Sequence, residues 1–331
     1  MNIKTTTLKQ FKNLASNLKG SNIIPIHGYL KFGNGEICKN VNSSFIKYSV
    51  SESDEELLVS EHDLYSLLAV TSASFISITK KKDGKVELND GKDKIVIQSP
   101  KIKEFSDPPE SLSQPVKVSE DFMDAVMQAS NFANFIKDMP TYYGYVHIGH
   151  GTVCAGDGII AFHCPVEEKI QMVIEGTTAK FIAKQDVQSF SVSDNFYFLS
   201  TPEATIGLVM PIIGWFDIRS IFENKRTFAF TLDTSDVMSF NALSLQLCPD
   251  PLVTITDGKF EMNDMLLDKY HERAAENMKI QVPFSYNPAR MNTVLLGLGG
   301  EEMDFHEAAP CYFLTNKDTK ATAIIAKINK A

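Results

Sequence analysis

VCAGDGIIAFHCPV, residues 153–166, gathers a Gly-Asp-Gly turn, two cysteines and a histidine into one short stretch. Asp157 stands between Gly156 and Gly158, with Cys154, His163 and Cys164 close by. Three readings compete: a metal site, a catalytic carboxylate on a tight loop, and a plain hairpin. Neighbouring side chains in a strand face opposite sides, so His163 and Cys164 diverge and cannot join Cys154 around one ion. His147 and His150 diverge in the same way, and the helical ligand spacing H-E-x-x-H is absent. So are G-x-S-x-G, a phosphate loop and G-x-G-x-x-G. Both glycines tolerate positive φ and aspartate is a frequent turn residue, which favours a hairpin between strands TYYGYVHIG and IIAFHCPV.

The segments around this hairpin recur. Upstream lies VSEDFMDAVMQASNFANFI, an amphipathic helix with Ser119 as cap and Phe122, Val126, Met127 and Ala129 on its apolar face. A similar helix, TTTLKQFKNLASNL, opens the chain with Thr7 as the expected cap. A third, LDTSDVMSFNALSLQL, has Thr234 or Ser235 in that place. Leu8, Phe122 and Val237 are spaced 114 and 115 residues apart. Short strand-like runs follow each helix, including PLVTITDGKFEMND, whose Asp257-Gly258 is a strong hairpin signal. A second helix comes next in each round, over 60–71, 177–185 and 287–300, and further strands close it. The glycines of LLGLGGEE follow their helix and read as its C-cap. The periodicity predicts three copies of a helix–strands–helix–strands unit in an α+β chain. Polar linkers fall near 105–115 and 222–227, giving domains 1–112, 113–224 and 225–331.

Bulk composition narrows the function. The 331 residues are 44% hydrophobic and 22% charged, with a net charge of −9, which argues against a surface that coats nucleic acid everywhere. The five cysteines (Cys38, Cys154, Cys164, Cys248, Cys311) are odd in number, scattered and without C-x-x-C, as reduced cytosolic thiols would be. The opening segment has neither the apolar core nor the cleavage site of a signal peptide, and no apolar run approaches a membrane span. These features point to a soluble cytoplasmic protein that is not inserted in a membrane.

IIPIHGYLKFGNGEI, DMPTYYGYVHI, AGDGIIAFHCPV, GWFDIRSIF and LLGLGGEE, in that order, resemble landmarks of the bacterial beta sliding clamp family, the processivity subunit of the replicative DNA polymerase. The resemblance covers nearly the whole chain. The family's opening Leu-Pro-Ile-Leu is similar to IIPI, its paired tyrosines to Tyr142-Tyr143, and its Ala-Thr-Asp-Gly-His-Arg-Leu-Ala to the hairpin. Its Gly-Arg-Phe-Pro-Asp-Tyr-Arg-Arg-Val is similar to GWFDIRSIF, and Phe105 falls where it has an aromatic at the end of the first domain. The sequence also departs from the family. The Thr, His and Arg around the Asp-Gly turn are Gly156, Ile159 and Ile160, the proline after Phe216 is missing, and the C-terminus is AIIAKINKA in place of Met-Pro-Met-Arg-Leu.

The resemblance implies three similar clamp domains and a head-to-tail homodimeric ring, with helices lining the hole and antiparallel sheets outside. It implies a non-catalytic DNA polymerase III beta subunit that encircles duplex DNA without reading its sequence. Polymerase and clamp loader would dock through short peptide motifs, and no cofactor or metal is implied. Carried over by position, the partner-peptide cleft comprises Tyr142, Gly156, Gly158, Ile159, Ala161, Ile221, Ile324, Ala326 and Ile328. Residues facing DNA would be Lys9, Lys12, Lys19, Asn22, Lys137, Tyr143, Lys180, Lys184 and Arg290. Phe105, Leu243 and Leu245 would serve the dimer interface. The competing reading is an enzyme with an unrecognised site on a repeat-built α+β scaffold.

Overall fold

The same order of elements runs through the chain three times: a strand, a helix, four strands, a second helix and three strands. The computed structural model describes residues 1–18, 25–41, 44–50, 55–111, 113–135, 139–193, 195–214, 217–256, 258–264, 269–274, 283–308, 311–316 and 318–328. The first round is β1 (Asn2–Lys4), α1 (Thr5–Ala15), β2 (Tyr29–Gly33), β3 (Glu36–Val41), β4 (Ser44–Ser49), β5 (Leu57–Ser60), α2 (Glu61–Val70), β6 (Phe75–Lys80), β7 (Lys85–Asn89) and β8 (Lys94–Gln98). The second is β9 (Val116–Lys117), α3 (Glu120–Ser130), β10 (Tyr145–Gly149), β11 (Thr152–Gly156), β12 (Ile160–Pro165), β13 (Met172–Glu175), α4 (Gly176–Ile182), β14 (Ser189–Ser193), β15 (Phe196–Ser200) and β16 (Ala204–Val209). A one-turn helix, α5 (Arg219–Phe222), lies between the second round and the third. The third is β17 (Thr227–Asp233), α6 (Thr234–Leu247), β18 (Val253–Thr256), β19 (Lys259–Asp264), β20 (Lys269–Ala274), β21 (Phe284–Tyr286), α7 (Pro288–Leu298), β22 (Glu302–Ala308), β23 (Cys311–Thr315) and β24 (Thr322–Ala326).

The helix starts follow from local chemistry. Ser119 caps α3 by accepting the Phe122 N–H at 3.1 Å. Helix α1 begins at Thr5, two residues before the expected cap at Thr7, and Lys4 gives its N-cap no side-chain acceptor. Helix α6 is capped by Asp233, not by Thr234 or Ser235. The Asp233 carboxylate, one residue earlier, accepts the N–H groups of Ser235 and Asp236 and also suits the positive end of the helix dipole.

Among the described residues every strand pairing is antiparallel, and two of them join different rounds. Strand β4 pairs with β16, completing an eight-stranded sheet in the order β5-β2-β3-β4-β16-β15-β14-β9. Strand β12 pairs with β24 in a second eight-stranded sheet, β13-β10-β11-β12-β24-β23-β22-β17. Because strands of the second round are shared out this way, the chain forms two compact units whose limits do not follow the repeats. One comprises Met1–Val118 and Gln185–Met210, the other Ser119–Lys184 and Pro211–Ala331. Each unit also holds a four-stranded sheet, β1-β6-β7-β8 in the first and β20-β19-β18-β21 in the second.

In the first unit, Gly207 of β16 lies opposite Phe45 of β4, and a Cβ there would come within 2.0 Å of the Phe45 ring. Glycine is needed because the ring covers its backbone, within 5.9 Å of Phe196 and 5.7 Å of Phe198. In the second unit, Ala155, Phe162, Ala323, Leu314, Phe305 and Phe230 are successive cross-strand partners over six strands, all buried. Phe132, just after α3, packs 5.2 Å from Phe162, and Gly297 of α7 admits the Phe132 ring. The helices therefore cover this face, and residues one position away in each strand face the other side. Among the described residues no helix is long and apolar enough to cross a membrane.

Candidate docking site

The stretch at 153–166 is a hairpin of β11 and β12, with Cys154 opposite His163 and Gly156 opposite Ala161. Gly158 takes φ +88°, a left-handed conformation that glycine adopts freely, and its missing side chain leaves room for the Tyr143 ring. Asp157 closes the turn. Its Oδ1 accepts the N–H groups of Ile159 and Ile160, each at 3.0 Å. Its Oδ2 is ion-paired with Arg290, in the first turn of α7. The fully buried carboxylate thus has structural partners on both oxygens and is shut off from substrate. Cys164 pairs with Val153 and faces away from His163 and Cys154. Burial pushes the Cys154 thiol up to about 12 and the Cys164 thiol up to about 11, which keeps both protonated and unreactive at neutral pH.

The face of this sheet turned away from the helices carries a second row of partners: Gly156, Ala161, Ile324, Phe313, His306 and Phe228. Gly156 and Ala161 are small, and the bulk rises through Ile324 to Phe313 along this apolar row. Ile324, Phe313, Ala308 and Cys311 form a buried cluster, with Ala161 and Phe222 packed against it. Phe222 belongs to α5. Its ring stacks on His163 at 4.9 Å and 25° and meets Phe313 edge-on at 5.9 Å. The Arg226 guanidinium lies 5.4 Å from the Phe313 ring, a cation–π contact. Burial and the neighbouring Arg219 and Arg226 charges hold the His163 imidazole below its usual value.

The cleft residues expected from sequence are partly gathered here. Gly156, Ala161 and Ile324 share the row, and Ala326 donates its N–H to the Ile159 carbonyl at 2.9 Å. Ile221 is exposed on α5 beside Phe222. Tyr142 lies at the turn end, its ring edge-on to Tyr143 at 4.8 Å, and its carbonyl accepts from His147 Nε2 at 3.1 Å. Gly158 sits under Tyr143, whereas Ile328, beyond β24, is exposed and donates its N–H to Ser285. Sequence reasoning missed Phe222, Phe313 and His163 as parts of this face. The alternation in CYFLT could have marked Phe313, whereas Phe222 depends on how a one-turn helix lands.

The proposed DNA-facing residues fall in several places. Lys9 is exposed on α1, and Lys12 in its last turn holds its ammonium 5.1 Å from the Tyr65 ring. Lys180 and Lys184 are exposed in and just after α4, while Arg290 is committed to Asp157. Lys19, Asn22 and Lys137 lie outside the described residues. Phe105 is buried with Cys38 and Leu58; Leu243 is exposed and Leu245 half-buried on α6.

No protein-family model matches the chain, and no curated protein does. Solved structures match along its whole length. The beta subunit of the Streptococcus pyogenes DNA polymerase superposes with a TM-score of 0.86 at 12% identity, covering 99% of each chain. This chain has the DNA polymerase III beta subunit fold. The Pseudomonas aeruginosa DNA polymerase III subunit beta shares the clamp fold with a TM-score of 0.84 at 13% identity over 100% of both chains. So does the Helicobacter pylori beta clamp, solved with a bound DNA ligase peptide, with a TM-score of 0.84 at 13% identity over 100% of both chains. At such identities the clamp fold is shared while most side chains are not, so residue roles rest on the geometry of this chain.

Proposed function

We propose that this chain is a non-catalytic DNA sliding clamp, three domains at 1–112, 113–224 and 225–331 that dimerise head to tail around duplex DNA. The observation that carries the reading is the clamp fold over the full chain, built by three rounds of the same element order. A closed ring holds DNA by topology, so it needs neither base contacts nor many phosphate contacts. That suits a chain with net charge −9 whose exposed lysines on α1 and α4 are few. Among the described residues, strands β8 and β20 end their sheets without a further paired strand, and such edges pair readily with a second chain. We assign ring closure to them, with Leu243 nearby on α6 and Phe105 supporting the first unit from within. Polymerase and clamp loader would dock short peptides on the face of Gly156, Ala161 and Ile324, as partners of a cytoplasmic replication factor.

The test is retention on DNA. The protein, loaded on nicked circular DNA, should co-elute with it in gel filtration and be released when the circle is cut. Equal retention on circular and linear DNA would sink the topological mechanism.

A further inference from the structure

The apolar row beside β12 already has a cover. Phe222 projects from α5 onto it, stacked on His163 and edge-on to Phe313, over the cluster that contains Ile324 and Cys311. The ring is only half-buried, so it fills the seat without sealing it. Its support is slight. Helix α5 is a single turn, its ends bonded from Ile221 to Ile218 at 3.1 Å, Glu223 to Arg219 at 3.2 Å and Asn224 to Ile221 at 3.4 Å. Asp217 accepts the Arg219 backbone N–H at 3.0 Å and is ion-paired with its guanidinium on the exposed side. One turn of helix has no stability of its own, so its place depends on what buried Ile218 and half-buried Phe222 gain from packing.

We propose that Phe222 is an internal plug in the docking seat, and that a partner peptide enters by exchanging an aromatic side chain of its own for the Phe222 ring. The proposal deepens the docking role above and rests on it for the identity of the competitor. The seat favours an aromatic because it offers a flat imidazole to stack on and a ring edge at right angles. Tethering keeps the effective concentration of Phe222 high, so an untethered peptide meets a seat that is mostly taken. Binding is then weaker than the seat alone would give, and it strengthens when the plug is removed.

The strap itself supplies a probe that needs no knowledge of the natural partner: the peptide DIRSIFENKR, residues 217–226. Phe222→Ala protein should bind it at least tenfold more tightly than the wild type in fluorescence polarisation. The peptide with alanine in place of its phenylalanine should not bind the variant. In parallel, N-ethylmaleimide labelling of Cys311, read by peptide mass spectrometry, should be at least tenfold faster in Phe222→Ala, because the plug covers the cluster holding this thiol. Phe222→Leu, which keeps apolar bulk without a ring, should be intermediate in both measurements and serves if the alanine variant fails to fold. Equal peptide binding by wild type and variant, no binding by the variant, or unchanged Cys311 labelling each overturns the plug. None of these readouts involves DNA or a replication partner, so failure of the clamp reading would leave them intact.

Discussion

Asp157 and Arg290 stand 133 positions apart and form an ion pair, with the Asp157 carboxylate sealed from solvent. The pair ties the β11–β12 turn to the start of α7, so one contact fixes both the hairpin and the helix behind it. Removing one partner leaves a buried charge or an unfilled site, which typically costs about 3–5 kcal/mol. Asp157→Ala should therefore lower the urea stability of the second unit by about 3 kcal/mol, since it also deprives the Ile159 and Ile160 N–H groups of their acceptor. Arg290→Ala should cost a similar amount, and the double variant less than the two losses added. A loss in Asp157→Ala too small to measure would show that the hairpin holds without the pair.

Ile159 tests the docking face separately from stability. It is half-buried at the hairpin, and its carbonyl anchors Ala326 of β24 through the backbone, which a side-chain change leaves in place. Ile159→Asp puts a charge beside an apolar seat, where a docking peptide would have to desolvate it. A labelled peptide of the class proposed to dock on this face, with an aromatic anchor, should bind the variant at least tenfold more weakly than the wild type. Dimer mass should be unchanged. Equal affinity would place the docking site elsewhere.

Acid should act first on the second unit. Burial holds the imidazoles of His147, His163, His271 and His306 below the ordinary value of 6.5, and all four lie in that unit. For His163 and His306 the Arg226 charge adds to the shift. A depressed value means that the unfolded chain takes up protons first. The stabilisation is thus complete above 6.5 and drains away as the pH falls below it. In the first unit, Asp83, Glu87 and Asp90 are lowered from their carboxylate values and respond only in stronger acid. Hydrogen exchange, corrected for its intrinsic pH dependence, should show β10–β12 losing protection between pH 7.5 and 5.5 while β2–β4 keep theirs. The opposite order would refute the assignment.

The hairpin was legible because a Gly-Asp-Gly turn between alternating runs leaves few alternatives, and the resulting register sets which of His163 and Cys164 faces the seat. The threefold order was legible because each helix carries its own apolar stripe. The cap of α6 was misread by one or two residues, since Thr, Ser and Asp neighbours compete for the same role, and that of α1 by three, because Lys4 precedes the helix without a side-chain acceptor. Arg290 looked like a free cation on a helix because nothing local announces a partner 133 positions away. The pairing of β4 with β16 and of β12 with β24 was equally hidden. Strand patterns specify which face is buried, whereas the choice of neighbour depends on chain topology.

Ring closure can be tested at β8. Lys94–Gln98 forms the outer strand of its sheet, and Val96 in its centre is 49% exposed opposite Glu87. A lysine on a free edge discourages pairing with another chain, because docking would bury its charge. Here it would also lie beside the Glu87 carboxylate, so Val96→Lys should leave the sheet itself folded. The wild type should sediment at twice 36.8 kDa, and Val96→Lys should shift toward the monomer with a dimer dissociation constant at least tenfold higher. Circular dichroism should be unchanged. On DNA, the variant should lose its retention on circles together with its dimer, because an open chain cannot hold a duplex by topology. A variant that stayed dimeric and retained would move the interface away from β8, to the α6 surface that bears Leu243.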